Sequence, residues 1–134
     1  MIFLDTSVLI DALTGPKRSA PALRSAIHDG ERILLPSLVL YEWLRGPRLP
    51  QELAAQESLF PSESSVPFGW RESALSAKLC RSLQRAGGRE VDLAIAVCAI
   101  THEAAFWTLY TADFQDIPVP RAGLRPISST CVLV

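Results

Sequence analysis

The chain has 134 residues, of which 49% are hydrophobic and 20% are charged, and its formal net charge is −1 at pH 7. This size and composition are typical of one globular domain and exclude a disordered chain. No apolar stretch approaches the roughly 20 residues that cross a bilayer, and the first residues do not have the pattern of a signal peptide. We therefore expect a cytoplasmic protein without a membrane partner, and any affinity for nucleic acid must come from local positive patches.

Short apolar runs and helix-forming stretches alternate along the first half of the chain. The breaks between them contain glycine and proline, which end helices. Ser37 directly precedes one apolar stretch and is predicted to cap the helix that follows. The predicted elements of this half are a strand over Ile2–Leu4, helices over Thr6–Leu13 and Ser19–Asp29, a strand over Arg32–Leu35 and a helix over Leu38–Arg45.

The second half continues this alternation. Its clearest helix carries Leu75, Leu79 and Leu83 at a four-residue spacing, which places them on one face. Strands that are separated by helices indicate one α/β domain over residues 1–134 with a mainly parallel sheet. The predicted elements of this half are a helix over Gln51–Phe60, a short strand over Ser65–Pro67, helices over Trp70–Ala86 and Val91–His102, and strands over Phe106–Tyr110 and Leu124–Ile127.

Two acidic residues follow predicted strands. Asp5 comes directly after the first strand, and Asp113 comes shortly after the strand over Phe106–Tyr110. In open parallel sheets, functional groups collect at the carboxyl ends of the strands. Each residue alone also fits a polar loop position, and Asp5 could simply cap the next helix.

Two further acidic residues lie within predicted helices. Glu42 interrupts the apolar sequence LVLYEWL, and an ionised Glu is rarely buried without a partner, which favours a functional site over a solvent-facing stripe. Asp92 lies in the first turn of its helix, where a carboxylate suits the helix dipole. Taken alone, that structural role is the better interpretation of Asp92.

Taken together, the four acids indicate a metal site. A cluster of carboxylates repels itself unless it binds cations, and sites made of oxygen ligands suit Mg²⁺ or Mn²⁺. Such ions clamp a phosphodiester and activate a water molecule. The three cysteines and two histidines do not have the spacing of a zinc site.

Four motifs in this order resemble the PIN-domain family, and specifically the VapC ribonuclease toxins of bacterial toxin–antitoxin pairs. They are DTSVLID, LVLYEWLRGPR, DLAIAVCAI and LYTADFQDIP, and the resemblance extends from Met1 to about Ile127. It implies a PIN-like three-layer α/β/α sandwich with a mainly parallel central sheet of about five strands. It also implies cleavage of RNA with Mg²⁺, for which Mn²⁺ can substitute, by a homodimer that a cognate antitoxin inhibits.

The resemblance also assigns residues. The catalytic and metal-binding acids of the family fall on Asp5, Glu42, Asp92 and Asp113, and the hydroxyl groups that orient water or carboxylates fall on Thr6, Ser7 and Thr111. The last motif departs from the family pattern, in which an Asp-Phe pair follows the Thr at a fixed distance. Ile117 stands where the Phe is expected, so Asp116 is a reserve candidate for the fourth ligand.

A series of basic residues accompanies the helix over Trp70–Ala86. They lie away from the leucine face and lead towards Asp92. A solvated surface is one interpretation, and an RNA-binding surface is the other. The candidates are Arg71, Lys78, Arg81, Arg85 and Arg89.

Other classes of protein also use acidic pockets. A receiver-like signalling domain needs an acid at the end of its middle strand and a Lys near its last strand, and the corresponding stretches SVPF and VPRAGLRPI have neither. A phosphatase of the haloacid-dehalogenase type needs an Asp where Ser7 stands. A PIN fold that has lost catalysis and only binds RNA or a partner protein is a third alternative, which the complete set of acids disfavours.

Overall fold

The computed structural model describes residues 1–83 and 87–119 together with the backbone of Leu124–Pro126. In chain order the strands and helices are β1 (Ile2–Leu4), α1 (Thr6–Leu13), α2 (Ala20–His28), β2 (Ile33–Leu34), α3 (Ser37–Arg45), α4 (Pro50–Leu59), α5 (Trp70–Ser82), α6 (Glu90–Thr101), β3 (Ala105–Thr108) and β4 (Leu124–Pro126). Two short 3₁₀ helices cover Ser62–Ser64 and Thr111–Phe114. Within these described ranges, no helix is both long enough and apolar enough to span a membrane.

The strands form a parallel sheet in the order β2-β1-β3-β4. This confirms the predicted α/β class with a parallel sheet. In the described part of the chain the sheet has four strands rather than about five. The strand expected over Ser65–Pro67 is reduced to a single parallel bridge between Pro36 and Val66, which extends the β2 edge.

The centre of the core is formed by β1, β3 and α6. Residues 2–4 are fully or almost fully buried, and so are residues 93–99 of α6. Because α6 is apolar on all sides, it lies inside the protein rather than on its surface. Its position brings the N-terminal turn, which contains Asp92, to the carboxyl edge of the sheet.

Several predicted boundaries were wrong, and the contacts explain why. Ser37 is the first residue of α3 and does not cap it; its hydroxyl accepts a hydrogen bond from the Phe68 amide at 3.2 Å. The strand predicted over Phe106–Tyr110 ends at Thr108, because the amide of Tyr110 donates to the Thr108 hydroxyl at 3.1 Å.

Two other predictions fall partly outside the described residues. Helix α5 ends at Ser82, before the predicted end at Ala86, and residues 84–86 are outside the described part. The last strand covers Leu124–Pro126, and Ile127 lies outside as well.

Glu72, an acidic residue that sequence reasoning overlooked, connects helix α5 to α6 by a hydrogen bond. Glu72 is 6% exposed, whereas Leu75 and Leu79 are only partly buried. One Glu72 oxygen accepts from the Thr101 hydroxyl at 2.7 Å, and the other accepts from the Gly69 amide at 2.9 Å. A single carboxylate therefore caps the start of α5 and ties it to the end of α6.

Replacing Glu72 with Ala should lower the free energy of unfolding by about 1–3 kcal/mol, because the Gly69 amide and the Thr101 hydroxyl each lose a partly buried hydrogen bond to a charged acceptor. Urea denaturation followed by circular dichroism measures this loss. Glu63→Ala removes an exposed carboxylate from the 3₁₀ helix over Ser62–Ser64 and should change the stability by less than about 0.5 kcal/mol. Equal effects of the two substitutions would show that the Glu72 contacts do not stabilise the fold.

Candidate active site

Asp5 lies at the carboxyl end of β1, and its side chain is 5% exposed. Its Oδ1 accepts from the Thr6 amide at 2.9 Å, which makes Asp5 the N-cap of α1. Its Oδ2 accepts from the hydroxyls of Ser7 at 3.0 Å and Thr108 at 2.7 Å. The Asp5 carboxylate therefore caps α1 and is also part of the candidate site.

Glu42 faces Asp5 from α3, where the fully buried Trp43 anchors the helix to the core. The Thr6 hydroxyl donates to Oε1 of Glu42 at 2.6 Å, so the first turn of α1 contacts both acids. Oε2 of Glu42 is 3.6 Å from Nη2 of Arg45, one helical turn further along α3. The Glu42 side chain is 18% exposed, which places it between the core and solvent.

Asp92 and Asp113 come from α6 and from the segment that follows β3. Asp92 is the third residue of α6, and Asp113 is an exposed residue of the 3₁₀ helix over Thr111–Phe114. Burial raises the pKa of Asp92 above its ordinary value, and the negative charges of Asp5, Glu42 and Asp113 raise this pKa further. The structure thus brings the other three predicted acids within electrostatic reach of Asp92.

The pKa of Asp5 is also raised. Burial is the main cause, and the charge of Glu42 adds to it, while hydrogen bonds from Thr108, Ser7 and the Thr6 amide oppose the shift. The three donors stabilise the ionised form but do not offset the full cost of removing this carboxylate from water. The site therefore holds more negative charge than its surroundings neutralise.

The donor set fits a hard divalent cation, because carboxylate oxygens are the ligands that Mg²⁺ and Mn²⁺ prefer. The side chains are not arranged as a ready coordination shell: among the described residues, no three Asp, Glu, His or Cys side chains form a group that could hold an ion as placed. Hydroxyl groups and Arg45 contact the oxygens of Asp5 and Glu42 instead. A rearrangement of these side chains would have to accompany ion binding.

The predicted hydroxyl residues have different roles in the structure. Thr6 and Ser7 contact the acids as described, whereas Thr111 is a half-buried residue at the start of its 3₁₀ helix. Sequence reasoning missed Thr108, the last residue of β3, because the strand was predicted to continue to Tyr110. It also missed Arg45, although its position three residues after Glu42 could have suggested the ion pair.

Asp116, the reserve ligand, does not join the four acids. Its carboxylate accepts two hydrogen bonds from the guanidinium of Arg89, at 2.8 and 2.7 Å. These bonds lower the pKa of Asp116. Arg89, which was a candidate for RNA contact, is thus held by an acidic partner within the protein.

An open cavity of about 630 Å³ adjoins Asp113. Its lining includes Arg89, Asp116 and the end of α5 at Ser82 and Leu83. Of the other basic candidates, Arg71, Lys78 and Arg81 are exposed on α5, and Arg85 lies outside the described residues. The exposed basic residues of α5 therefore lie on a helix that ends at this cavity.

Comparison with known proteins identifies the family. The family model of the PIN domain matches residues 2–118 of this chain. The chain belongs to the PIN-domain family. Its resemblance to VapC proteins is confirmed by Ribonuclease VapC19 of Mycobacterium tuberculosis, which is 34% identical over 125 residues, covering 88% of this chain and 95% of that protein. This assignment excludes the receiver-like and haloacid-dehalogenase alternatives.

Solved structures share the PIN fold at lower identity. VapBC2 from Rickettsia felis, solved bound to a DNA fragment from its promoter, superposes with a TM-score of 0.71 at 23% identity, over 94% of this chain and 98% of that one. FitAcB from Neisseria gonorrhoeae gives a TM-score of 0.66 at 22% identity, over 97% and 99% of the two chains. These superpositions show that this PIN domain has the same fold as the two known structures.

The electrostatic strain in the cluster predicts an unusual effect on stability. Because the pKa of Asp92 is higher in the folded state, the folded protein binds more protons than the unfolded chain between pH ~4 and this raised pKa, and stability falls as the pH rises through this window. Asp92→Asn removes the charge, so the melting temperature of the metal-free protein should rise by a few degrees at pH 7. The gain should vanish below about pH 4, where Asp92 is protonated in both states.

Thermal melts in the presence of a chelator, recorded between about pH 3 and pH 8, measure this difference. Asp29→Asn, at an exposed position after α2, serves as the matched control and should shift the melting temperature equally little at every pH. A melting temperature of Asp92→Asn that is lower than that of the wild type at pH 7 would contradict the interpretation of the cluster as self-repelling.

Proposed function

We propose that this PIN domain is a VapC-type toxin that hydrolyses RNA phosphodiesters with Mg²⁺ or Mn²⁺. The observation that carries the proposal is the gathering of Asp5, Glu42, Asp92 and Asp113 at the carboxyl edge of the sheet, where the other three raise the pKa of Asp92. The similarity to a protein named Ribonuclease VapC19 supports RNA as the substrate. All four acids lie within the region that matches the PIN model.

In this mechanism, Asp5, Glu42 and Asp92 would hold the metal ion and Asp113 would complete the site. A bound divalent ion lowers the pKa of water and stabilises negative charge on phosphate oxygens. The hydroxyls of Ser7 and Thr108 fix the orientation of Asp5, and Thr6 fixes Glu42. Thr111 would orient water or a carboxylate beside Asp113. Hydrolysis would break the bond to the 3′-oxygen and leave a 5′-phosphate and a 3′-hydroxyl.

The substrate would reach the acids across positive side chains. Arg71, Lys78 and Arg81 are exposed along α5, and the end of this helix lines the cavity beside Asp113. Arg45 is also exposed and lies next to Glu42, where a phosphate group could contact it. Cations at these positions would offset the repulsion between RNA and the acidic cluster.

A protein partner is proposed on separate grounds. The two structural neighbours are VapBC2 and FitAcB. We propose that a cognate antitoxin binds this chain in the cytoplasm and inhibits it. We also propose that the chain forms a homodimer. Exposed apolar side chains include Ile27 and Leu59, which line one cavity between α2 and α4, and this cavity supports a protein partner.

A PIN domain that binds RNA without cutting it is the second candidate. The observation in its favour is that the described acids do not form a ready metal site. Both candidates predict RNA binding, and only the first predicts a metal-dependent change in the length of the RNA.

Asp5→Asn should reduce cleavage of RNA in Mg²⁺ by more than ~100-fold, since loss of a residue that merely supports a metal ligand already costs about 10–100-fold. Gel analysis of labelled RNA measures the rate, and a chelator should abolish wild-type cleavage. Asp29→Asn should cleave at the wild-type rate. Wild-type activity in Asp5→Asn would remove Asp5 from the site, and binding without any metal-dependent cleavage by the wild type would favour the second candidate.

Lys78→Ala combined with Arg81→Ala should weaken RNA binding and flatten its dependence on salt. For single-stranded RNA, each lost phosphate contact should reduce the slope of log affinity against log salt by about 0.7. The measurement uses fluorescence anisotropy with a chelator present, so that the RNA stays intact. Arg24→Ala, in α2, is the control for a general loss of positive charge, and an equal effect of this substitution would show that α5 is only a solvated surface.

A further inference from the structure

Arg89 connects two elements that carry different acids of the site. It directly precedes α6, which presents Asp92 in its first turn. Its guanidinium contacts the segment that follows β3: Nη1 and Nη2 donate to the two carboxylate oxygens of Asp116, and Nη2 also donates to the backbone carbonyl of Asp113 at 2.5 Å. One side chain thus spans from the start of α6 to the residue that is expected to complete the site.

The segment that carries Asp113 has little regular structure to hold it in place. Its 3₁₀ helix covers only Thr111–Phe114, and such short helices have poor hydrogen-bond geometry. On the core side the segment is anchored by Phe114, whose ring packs edge-on against Phe106 at 5.0 Å, and by the buried Ile117. On the solvent side, Arg89 holds the backbone of Asp113 and the side chain of Asp116.

The contact has the geometry that makes arginine effective as a clamp. A bidentate guanidinium–carboxylate pair fixes distance and direction together, which the point charge of lysine does not. The Arg89 side chain is 26% exposed, so water competes only partly for the hydrogen bonds of its guanidinium. The positive charge of Arg89 also acts on Asp92, where it opposes the repulsion from the neighbouring acids.

We propose that Arg89, acting through Asp116, is a positioning residue that fixes Asp113 relative to Asp92. This inference rests on the proposed metal-dependent function. It gives Asp116 a role of its own as the anchor of the clamp, and it assigns Arg89 to the internal structure of the site instead of the surface that binds RNA.

Asp116→Asn separates the two roles of Arg89. If Arg89 positions Asp113, this substitution removes the carboxylate that aligns the guanidinium with the Asp113 carbonyl and should weaken Mn²⁺ binding in the same direction as Arg89→Ala. If Arg89 binds RNA, the substitution removes a competing acid and leaves Arg89 more available, so RNA affinity should rise. The two interpretations therefore predict opposite outcomes for one variant.

The experiment measures Mn²⁺ binding by calorimetry and RNA cleavage under single-turnover conditions. Arg89→Ala and Asp116→Asn should each weaken Mn²⁺ binding and slow the cleavage step by about 10-fold, as supporting residues of metal sites do. The concentration of RNA at half-maximal rate should change less than twofold. The double variant should be no worse than the single variants, because the two residues act as a unit.

Three further variants complete the test. Arg89→Lys keeps the charge without the fork and should resemble Arg89→Ala in Mn²⁺ binding. Asp113→Asn should have a larger effect than Asp116→Asn, since it removes the proposed ligand itself. Arg24→Ala should leave Mn²⁺ binding unchanged, and melting curves would confirm that each variant is folded.

The outcomes distinguish this inference from the proposed function. A wild-type protein that binds Mn²⁺ but does not cut RNA would overturn the ribonuclease proposal, while the Mn²⁺ affinities of the variants would still decide the role of Arg89. Unchanged Mn²⁺ affinity in Arg89→Ala would overturn the clamp, and so would tighter RNA binding by Asp116→Asn. A wild-type protein without Mn²⁺ affinity would overturn both.

Discussion

The buried carboxylate of Asp5 determines how the elements around it must be arranged. A charge with only 5% exposure is costly unless donors reach it, and three donors do so, from the Thr6 amide, the Ser7 hydroxyl and the Thr108 hydroxyl. The Thr108 contact requires that β1 and β3 pair in the observed register, with Leu4 opposite Trp107. A shift of one residue would turn Thr108 to the other face of the sheet, so the geometry of the site and the register of the sheet depend on each other.

The same region concentrates negative charge, which works against folding. Asp5 and Asp92 both have raised pKa values, chiefly because of burial and partly because of neighbouring acids. The fold limits this cost with neutral hydroxyls and two arginines, Arg45 beside Glu42 and Arg89 beside Asp113. These contacts do not remove the cost. Replacing the acids by amides would remove it. An arrangement that keeps uncompensated carboxylates together is typical of a site that gives up stability for function.

The parts of the fold that could be predicted from the sequence are those set by local patterns. The apolar run of β1, the entirely apolar α6 and the four acids in their motifs are all visible in the printed sequence. The contacts that could not be predicted join distant residues: Asp5 to Thr108, Glu72 to Thr101 and Arg89 to Asp116 are separated by 103, 29 and 27 positions. Periodicity does not contain information on such pairs, because they depend on how the helices pack against the sheet. The end of β3 also involves such a contact, because the amide of Leu109, directly after the strand, donates to the Ser7 hydroxyl, 102 positions away.

The positions of the arginines constrain how a nearly neutral chain could attract RNA. Arg45 and Arg89 both lie at the acidic cluster, but each is engaged by an acid of the protein. The exposed basic residues of α5 are less committed, although Arg71 also stacks on Trp70 at 5.4 Å. Under the proposed function, attraction would therefore act mainly along α5 and guide the RNA towards the cavity at its end, which Asp113 lines. In such an arrangement, residues of α5 would provide the long-range attraction and the acidic cluster would carry out catalysis. Substitutions on α5 would then change the rate of association and leave the chemistry of the acidic cluster intact.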